Sequence, residues 1–119
     1  MFTILLLQAC GGDPMVTVRP GAHPDAPSPA ALAGALERQI QRPIQRCYEV
    51  ALGADSGLAG RVAIQVYGSH GILKAQVTEV GPAPLVDCAL EPMSDMRLMR
   101  ALGDGDQAVG FTLTVDFAS

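Results

Sequence analysis

The chain has 119 residues, a formal net charge of −4 at pH 7 and 49% hydrophobic residues. This length predicts one small folded domain with extensions. The acidic balance and the lack of a Lys/Arg cluster argue against a nucleic-acid-binding protein, because neutralising phosphates requires a basic patch. The sequence has no tryptophan and only 4% aromatic residues, which also argues against a platform for stacking bases.

A mostly apolar run at residues 2–7 leads into the tetrapeptide Leu7–Gln8–Ala9–Cys10. This tetrapeptide resembles the lipobox of bacterial lipoproteins, in which the cysteine is acylated and the preceding residues are removed. The resemblance implies a signal segment at 1–10 and a lipid anchor on Cys10, on the periplasmic side of the bacterial envelope and at the outer rather than the inner membrane. The alternative is an N-terminal strand that buries Cys10. The run is too short for a transmembrane helix, which needs about 20 apolar residues.

The sequence has three cysteines, Cys10, Cys47 and Cys88. If Cys10 is acylated, the other two form an even pair in an oxidising compartment, which predicts a disulfide between them. Such a bridge is expected to stabilise the domain by about 4 kcal/mol in the chain-entropy model. The alternative, a reactive or metal-binding thiol pair, lacks a CxxC spacing and a neighbouring histidine.

Residues 11–29 are rich in proline and glycine and predict a tether between the anchor and the folded domain. Within it, Met15–Val18 alternates in a way that allows a brief strand, and His23 is expected to be solvated. Apolar residues at every fourth position then predict an amphipathic helix that begins near Ser28 and ends before Gly53; they are Leu32, Leu36, Ile40, Ile44, Tyr48 and Leu52. Pro43 predicts a kink or break in this helix, and two helices meeting at Arg42–Pro43 fit equally well.

Three further segments have strand or helix patterns. Alternation at Val62, Ile64 and Val66 predicts a strand, followed by a hairpin loop at 68–71 and a return strand at 72–80. A second helix begins near Leu85 and carries Cys88. The last strand, Val109–Phe117, has the clearest alternation in the chain. The order helix, strand, strand, helix, strand predicts a two-layer α+β domain at 30–119, with a three-stranded antiparallel sheet and two helices.

Several motifs in this order resemble the AgmX/PglI C-terminal domain, a family of bacterial envelope proteins similar to the TonB C-terminal domain. They are R-C-Y-E at Arg46–Glu49, G-R-V at Gly60–Val62, Gly71, Cys88 and the closing apolar strand. The resemblance covers residues 44–117. It implies a protein–protein interaction domain in a transport or motility-related envelope assembly, with no catalytic activity and no cofactor.

By analogy with TonB-like domains, the last strand is the predicted edge at which an envelope partner adds a strand of its own. The partner-binding residues predicted on it are Val109, Phe111, Thr112, Leu113, Thr114 and Val115. An enzyme is the least favoured reading, because the sequence has no Ser/His/Asp or Cys/His set and both histidines lie in predicted loops.

The alternative function is copper handling in the periplasm. Met93, Met96 and Met99 are spaced by three, and soft thioethers suit Cu(I). The same spacing is also helical, and methionine commonly fills gaps in a hydrophobic core. The sequence leaves both interpretations open.

Overall fold

The computed structural model describes residues 13–70, 72–94 and 108–119 of the chain. Its elements in chain order are strand β1 (Met15–Ala22), helix α1 (Leu32–Ala35), a π-helical segment (Leu36–Gln41), helix α2 (Arg42–Ala54), strand β2 (Gly60–Ser69), strand β3 (Ile72–Glu79), helix α3 (Ala83–Leu90), a 3-10 turn (Glu91–Ser94) and strand β4 (Val109–Ala118). Cys10, Met96 and Met99 lie outside the described residues. None of the helices in the described ranges is long and apolar enough to cross a membrane.

The strands form one antiparallel sheet in the order β1-β4-β2-β3. The α+β class with helices on an antiparallel sheet is therefore confirmed, but the predicted number of three strands is wrong. The fourth strand is β1, which lies inside the segment predicted as a tether and pairs with β4 from Met15 opposite Ala118 to Ala22 opposite Phe111.

Two valines explain why a proline-rich segment joins the sheet. Val16 and Val18 alternate toward the core and are 2% and 9% exposed. Pro20 is tolerated because, like Val16, it occupies a position whose backbone N–H points away from β4. The missing donor therefore costs no ladder hydrogen bond, and the alternation of the valines outweighs the prolines around them.

The helical stretch accommodates Pro43 by a local change of helix type. A π-helical segment at Leu36–Gln41 joins α1 to α2, and α2 begins at Arg42. Pro43 has no N–H to donate to the carbonyl of Gln39 and its ring crowds that oxygen, so a wider turn before it relieves the conflict. The backbone remains right-handed helical at Ala35, Leu36, Gln41 and Arg42, so the interpretation as one helix with a local irregularity before Pro43 is the closer one.

The core lies between one face of the sheet and the helices. Its fully buried side chains come from β1, the π-helical segment, α2, β2, α3 and β4 and include Val16, Ile40, Ile44, Tyr48, Val62, Ile64, Leu85, Leu113 and Val115. The Tyr48 hydroxyl donates to the carbonyl oxygen of Leu58 at 2.7 Å, which satisfies a polar group buried under the sheet. Its ring meets Phe117 edge to face at a centroid distance of 5.2 Å.

Cys47 on α2 and Cys88 on α3 are bonded to each other, with their Cα atoms 5.4 Å apart. This pairing agrees with the predicted disulfide. The bond joins the two helices that pack on the sheet, and within the R-C-Y-E motif Tyr48 is buried while Arg46 and Glu49 are exposed.

Candidate functional site

The predicted partner-binding strand is not an edge. β4 pairs with β1 on one side and with β2 on the other over nearly its whole length. Its inward side chains, among them Phe111, Leu113 and Val115, are buried in the core, while Thr112 and Thr114 lie on the half-exposed outer face. The prediction is wrong on this point because β1 occupies the side of β4 that a three-stranded sheet would leave free. The edges of the sheet are β1 and β3.

Side chains of α2 and of the π-helical segment cover the β1 edge. The Val16 N–H donates to Gln45 Oε1 at 3.0 Å, and Gln41 Nε2 donates to the Val16 carbonyl oxygen at 3.2 Å. Gln45 Nε2 also donates to the Pro14 carbonyl oxygen at 2.9 Å. A second strand would have to displace these bonds, and Pro20 offers it no N–H. The β1 edge is therefore covered at Pro14 and Val16 and lacks a donor at Pro20, which disfavours further pairing there.

The β3 edge lacks such cover. The hairpin joins Ser69 and Ile72 through two residues, which makes them a hydrogen-bonded pair and directs the backbone groups of Leu73, Ala75 and Val77 away from β2. Among the described residues, no backbone hydrogen bond from another element reaches that outer side. Six of the eight residues of β3 are exposed, so an incoming strand meets little obstruction in the described part of the molecule.

The β3 edge has two chemically different sides. On the helix side, Leu73, Val77 and Met93 are partly buried against the core. On the outer side Lys74 and Gln76 are exposed, and Lys74 is the only lysine in the sequence. A segment that paired with this edge would need apolar side chains facing the helices and would be favoured by an acidic one beside Lys74.

Ion pairs on the outer face join three strands. Asp116 on β4 contacts Arg19 on β1 through one carboxylate oxygen and Arg61 on β2 through the other, the latter at 2.7 Å. The hydrogen bond from Arg61 is the main cause that holds the pKa of Asp116 below its usual value, against the opposing effect of burial; the charge of Arg19 adds to the lowering. The carboxylate therefore remains ionised at any ordinary pH and links β1 to the rest of the sheet.

The sequence predicts that His23 is solvated, but in the structure its side chain packs against other residues. Its ring lies against Gly110, where an added Cβ would come within 2.8 Å of His23 Cγ. Its Nδ1 accepts a hydrogen bond from the Asp25 N–H at 3.0 Å, and its centroid is 6.1 Å from that of Tyr67. A glycine at an outward position of a strand is the sequence signal that something packs closely there.

The copper interpretation gains nothing from the described residues. Met93 packs against the hydrophobic core, and its two companions lie outside the described ranges. In residues 13–70, 72–94 and 108–119, no group of three or more His, Cys, Asp or Glu side chains is placed to hold a metal ion.

Comparisons with known proteins identified no relative of this chain. No family model, no curated protein and no solved structure matches the chain.

Proposed function

We propose that this protein is a lipid-anchored interaction module of the bacterial envelope, of the AgmX/PglI and TonB-like kind. It binds an extended segment of another envelope protein by strand addition, as part of a transport or motility-related assembly. The observation that carries the proposal is the open edge of β3, with its backbone groups directed outward and its two sides of different polarity.

Three features support this proposal. The R-C-Y-E and G-R-V motifs resemble those of envelope domains. The Cys47–Cys88 pair suits an oxidising compartment such as the periplasm. The lipobox-like tetrapeptide that ends at Cys10 fits anchoring at a membrane, with residues 11–14 between it and the first strand of the sheet.

The contacts at the edge define the partner segment. Main-chain bonds to Leu73, Ala75 and Val77 supply affinity, and side chains that alternate across the strand supply specificity. The segment therefore has apolar residues at every second position, which pack beside Leu73 and Val77, and an acidic residue on the other side next to Lys74.

The test is a crosslink in the native envelope. A photo-crosslinking residue at position 76, beside the edge, is expected to give a discrete adduct with one envelope protein. The control is the same residue at position 50 on α2, where the native valine is 78% exposed but far from the edge in sequence. Mass spectrometry of the adduct then maps the bound segment.

The edge itself is tested with a peptide of the mapped segment. Ala75→Pro removes one outward N–H and is expected to weaken binding about tenfold or more, as loss of a main-chain hydrogen bond predicts. Ala75→Thr keeps the N–H and is the matched control, with binding close to wild type. Unchanged affinity in a folded Ala75→Pro variant would rule out strand addition at β3.

A further inference from the structure

The N-terminal arm, residues 15–27, is attached to the domain mainly through the pairing of β1 with β4 and through two buried valines. Of the eight residues of β1, only Val16 and Val18 are buried, and the remaining six are exposed. The arm continues past the strand, where the Pro27 carbonyl accepts a hydrogen bond from the Gly110 N–H at 2.8 Å. Segments with so few buried apolar contacts open locally at low cost in free energy.

The rest of the domain is held together by strand pairing and by the disulfide, neither of which involves the arm. β2 pairs with both β3 and β4, and the disulfide joins α2 to α3 above these strands. The arm contributes no side chain to the contact between these helices. When the arm opens, Val16 and Val18 leave the core and one side of β4 is left unpaired, while the pairing of β2 with β3 and β4 and the disulfide do not involve the arm.

The contacts of β1 show what the vacated side of β4 accepts. The main chain of β4 pairs antiparallel with eight residues of the arm. Val16 and Val18 lie opposite Phe117 and Val115 on the core side, and Arg19 reaches Asp116 on the outer face. Gln41 and Gln45 then bind the outward backbone of Val16. The site thus selects an extended segment with two β-branched residues at alternate positions, followed by arginine.

The link between the arm and the helices is short and carries few contacts. Residues 28–31 contain Pro29 and are mostly exposed. The hydrogen bond from Leu32 N–H to the Pro29 carbonyl is part of the helix start rather than of the arm. A change of backbone direction within these four residues would carry the whole arm away without disturbing its internal contacts.

From these observations we infer that two copies of the chain exchange their N-terminal arms, each arm pairing with β4 of the other copy. A second copy is the occupant that meets every requirement, because it carries the same segment and re-forms each contact of the closed molecule. Exchange of identical elements is a low-cost route to a dimer for this reason. The exchange leaves both β3 edges free, so it is independent of the proposed function.

The test uses two full-length chains that both carry Cys10→Ser, so that each has a single added thiol. One carries Met15→Cys and the other Ala118→Cys, and these positions lie opposite each other in the register of β1 and β4. After mixing and mild oxidation, exchange predicts a disulfide that joins the two chains. Its yield is expected to exceed that of the control pair, Met15→Cys with Val80→Cys, by about tenfold or more, because pairing raises the effective concentration of the thiols.

A single chain with both substitutions provides the second measurement. It is expected to close its own disulfide when dilute and to form a two-chain product when concentrated. Both substitutions replace exposed residues, so folding should persist. An excess of a synthetic peptide with the sequence of Met15–Ala22 should suppress the two-chain product, whereas a scrambled peptide should not.

Three outcomes would overturn the inference. The first is equal yield from the test pair and the control pair. The second is intramolecular closure alone at every concentration. The third is a peptide that binds the vacated strand while the protein itself stays monomeric, since the site would then serve another protein and not a second copy.

Discussion

The two edges of the sheet differ in whether their outward backbone groups are hydrogen-bonded. At β1 the outward backbone is bonded to Gln41 and Gln45 and interrupted by Pro20. At β3 none of the described residues bonds to the outward backbone, and the strand ends near exposed Val80. Unpaired edges promote unwanted association, and natural proteins usually cover them. The open β3 edge is therefore the better candidate for binding a partner, although the sequence favoured β4.

The two edge strands also differ in how they are attached to the sheet. β3 is connected to β2 by a tight hairpin, so its pairing is local and easily formed. β1 is distant in sequence from β4, and it is attached through an eight-residue antiparallel ladder, two buried valines and several polar side chains. One edge strand is therefore attached through a local hairpin and has unbonded outward backbone groups, and the other is attached through long-range pairing and is partly covered by glutamine side chains.

The largest expected effect comes from the part of the domain that supports both edges. Replacing Cys47 and Cys88 together by alanine should lower the free energy of unfolding by about 4 kcal/mol, because the bond closes a loop across a sequence separation of 41 residues. Urea denaturation measures the loss. The control is Cys10→Ser, which should leave the unfolding curve unchanged. Equal stability with and without the bridge would show that the helices hold together by packing alone.

A smaller loss of stability, confined to β1, is expected when the side chain that covers the β1 edge is removed. Gln45→Ala removes bonds to the backbone at Val16 and Pro14 and should cost about 1 kcal/mol, since it leaves a partly buried backbone donor unpaired. Hydrogen exchange is expected to accelerate in β1 and to remain unchanged in β3. The matched control is Glu49→Ala, one turn further along α2, whose side chain contacts Gln45 but not β1. Equal acceleration in both strands would contradict the separate attachment of the edges.

The smallest effect concerns the ion pairs that link β1 to the sheet. Because the pKa of Asp116 is lower in the folded protein than in the unfolded chain, the carboxylate stabilises the fold above its unfolded pKa of about 3.9. That contribution is lost as the pH falls through the folded value. Asp116→Asn should thus be less stable than wild type at pH 7, by less than about 1 kcal/mol for an exposed pair, with the difference vanishing in strong acid.

Thermal unfolding of both proteins between pH 7 and pH 2 measures this dependence. A matched control is Asp55→Asn, which lies in the loop after α2 and is remote from β1 in sequence. A difference between wild type and Asp116→Asn that stays constant with pH would mean that the carboxylate charge contributes nothing to the attachment of β1.

Much of the fold could be predicted because its signals are local. Alternation of apolar and polar residues predicts β2, β3 and β4, apolar residues at every fourth position predict the long helical stretch, and two glycines indicate the hairpin. The pairing of Cys47 with Cys88 was predicted from counting cysteines on the premise that Cys10 is acylated. These patterns depend on side-chain periodicity within one segment and need no knowledge of what the segment packs against.

The candidate site could not be predicted in the same way. Whether β4 is an edge depends on β1, a segment separated from it by about 90 residues of chain, and the prolines around β1 concealed the alternation of its two valines. The role of Gln45 gives no local signal either, because a polar residue on a helix is ordinarily solvated and becomes an edge cover only when a strand lies beside it.

The class of the domain and the faces that become the core could be read from the sequence, since apolar periodicity acts through short-range physics, whereas the disulfide partners followed only on the premise that Cys10 is acylated. The number of strands, their order and the backbone groups that remain unpaired became known from the fold. Those properties depend on long-range pairing, where a few buried contacts offset the entropy of closing a long loop, and they decide where a partner finds an edge.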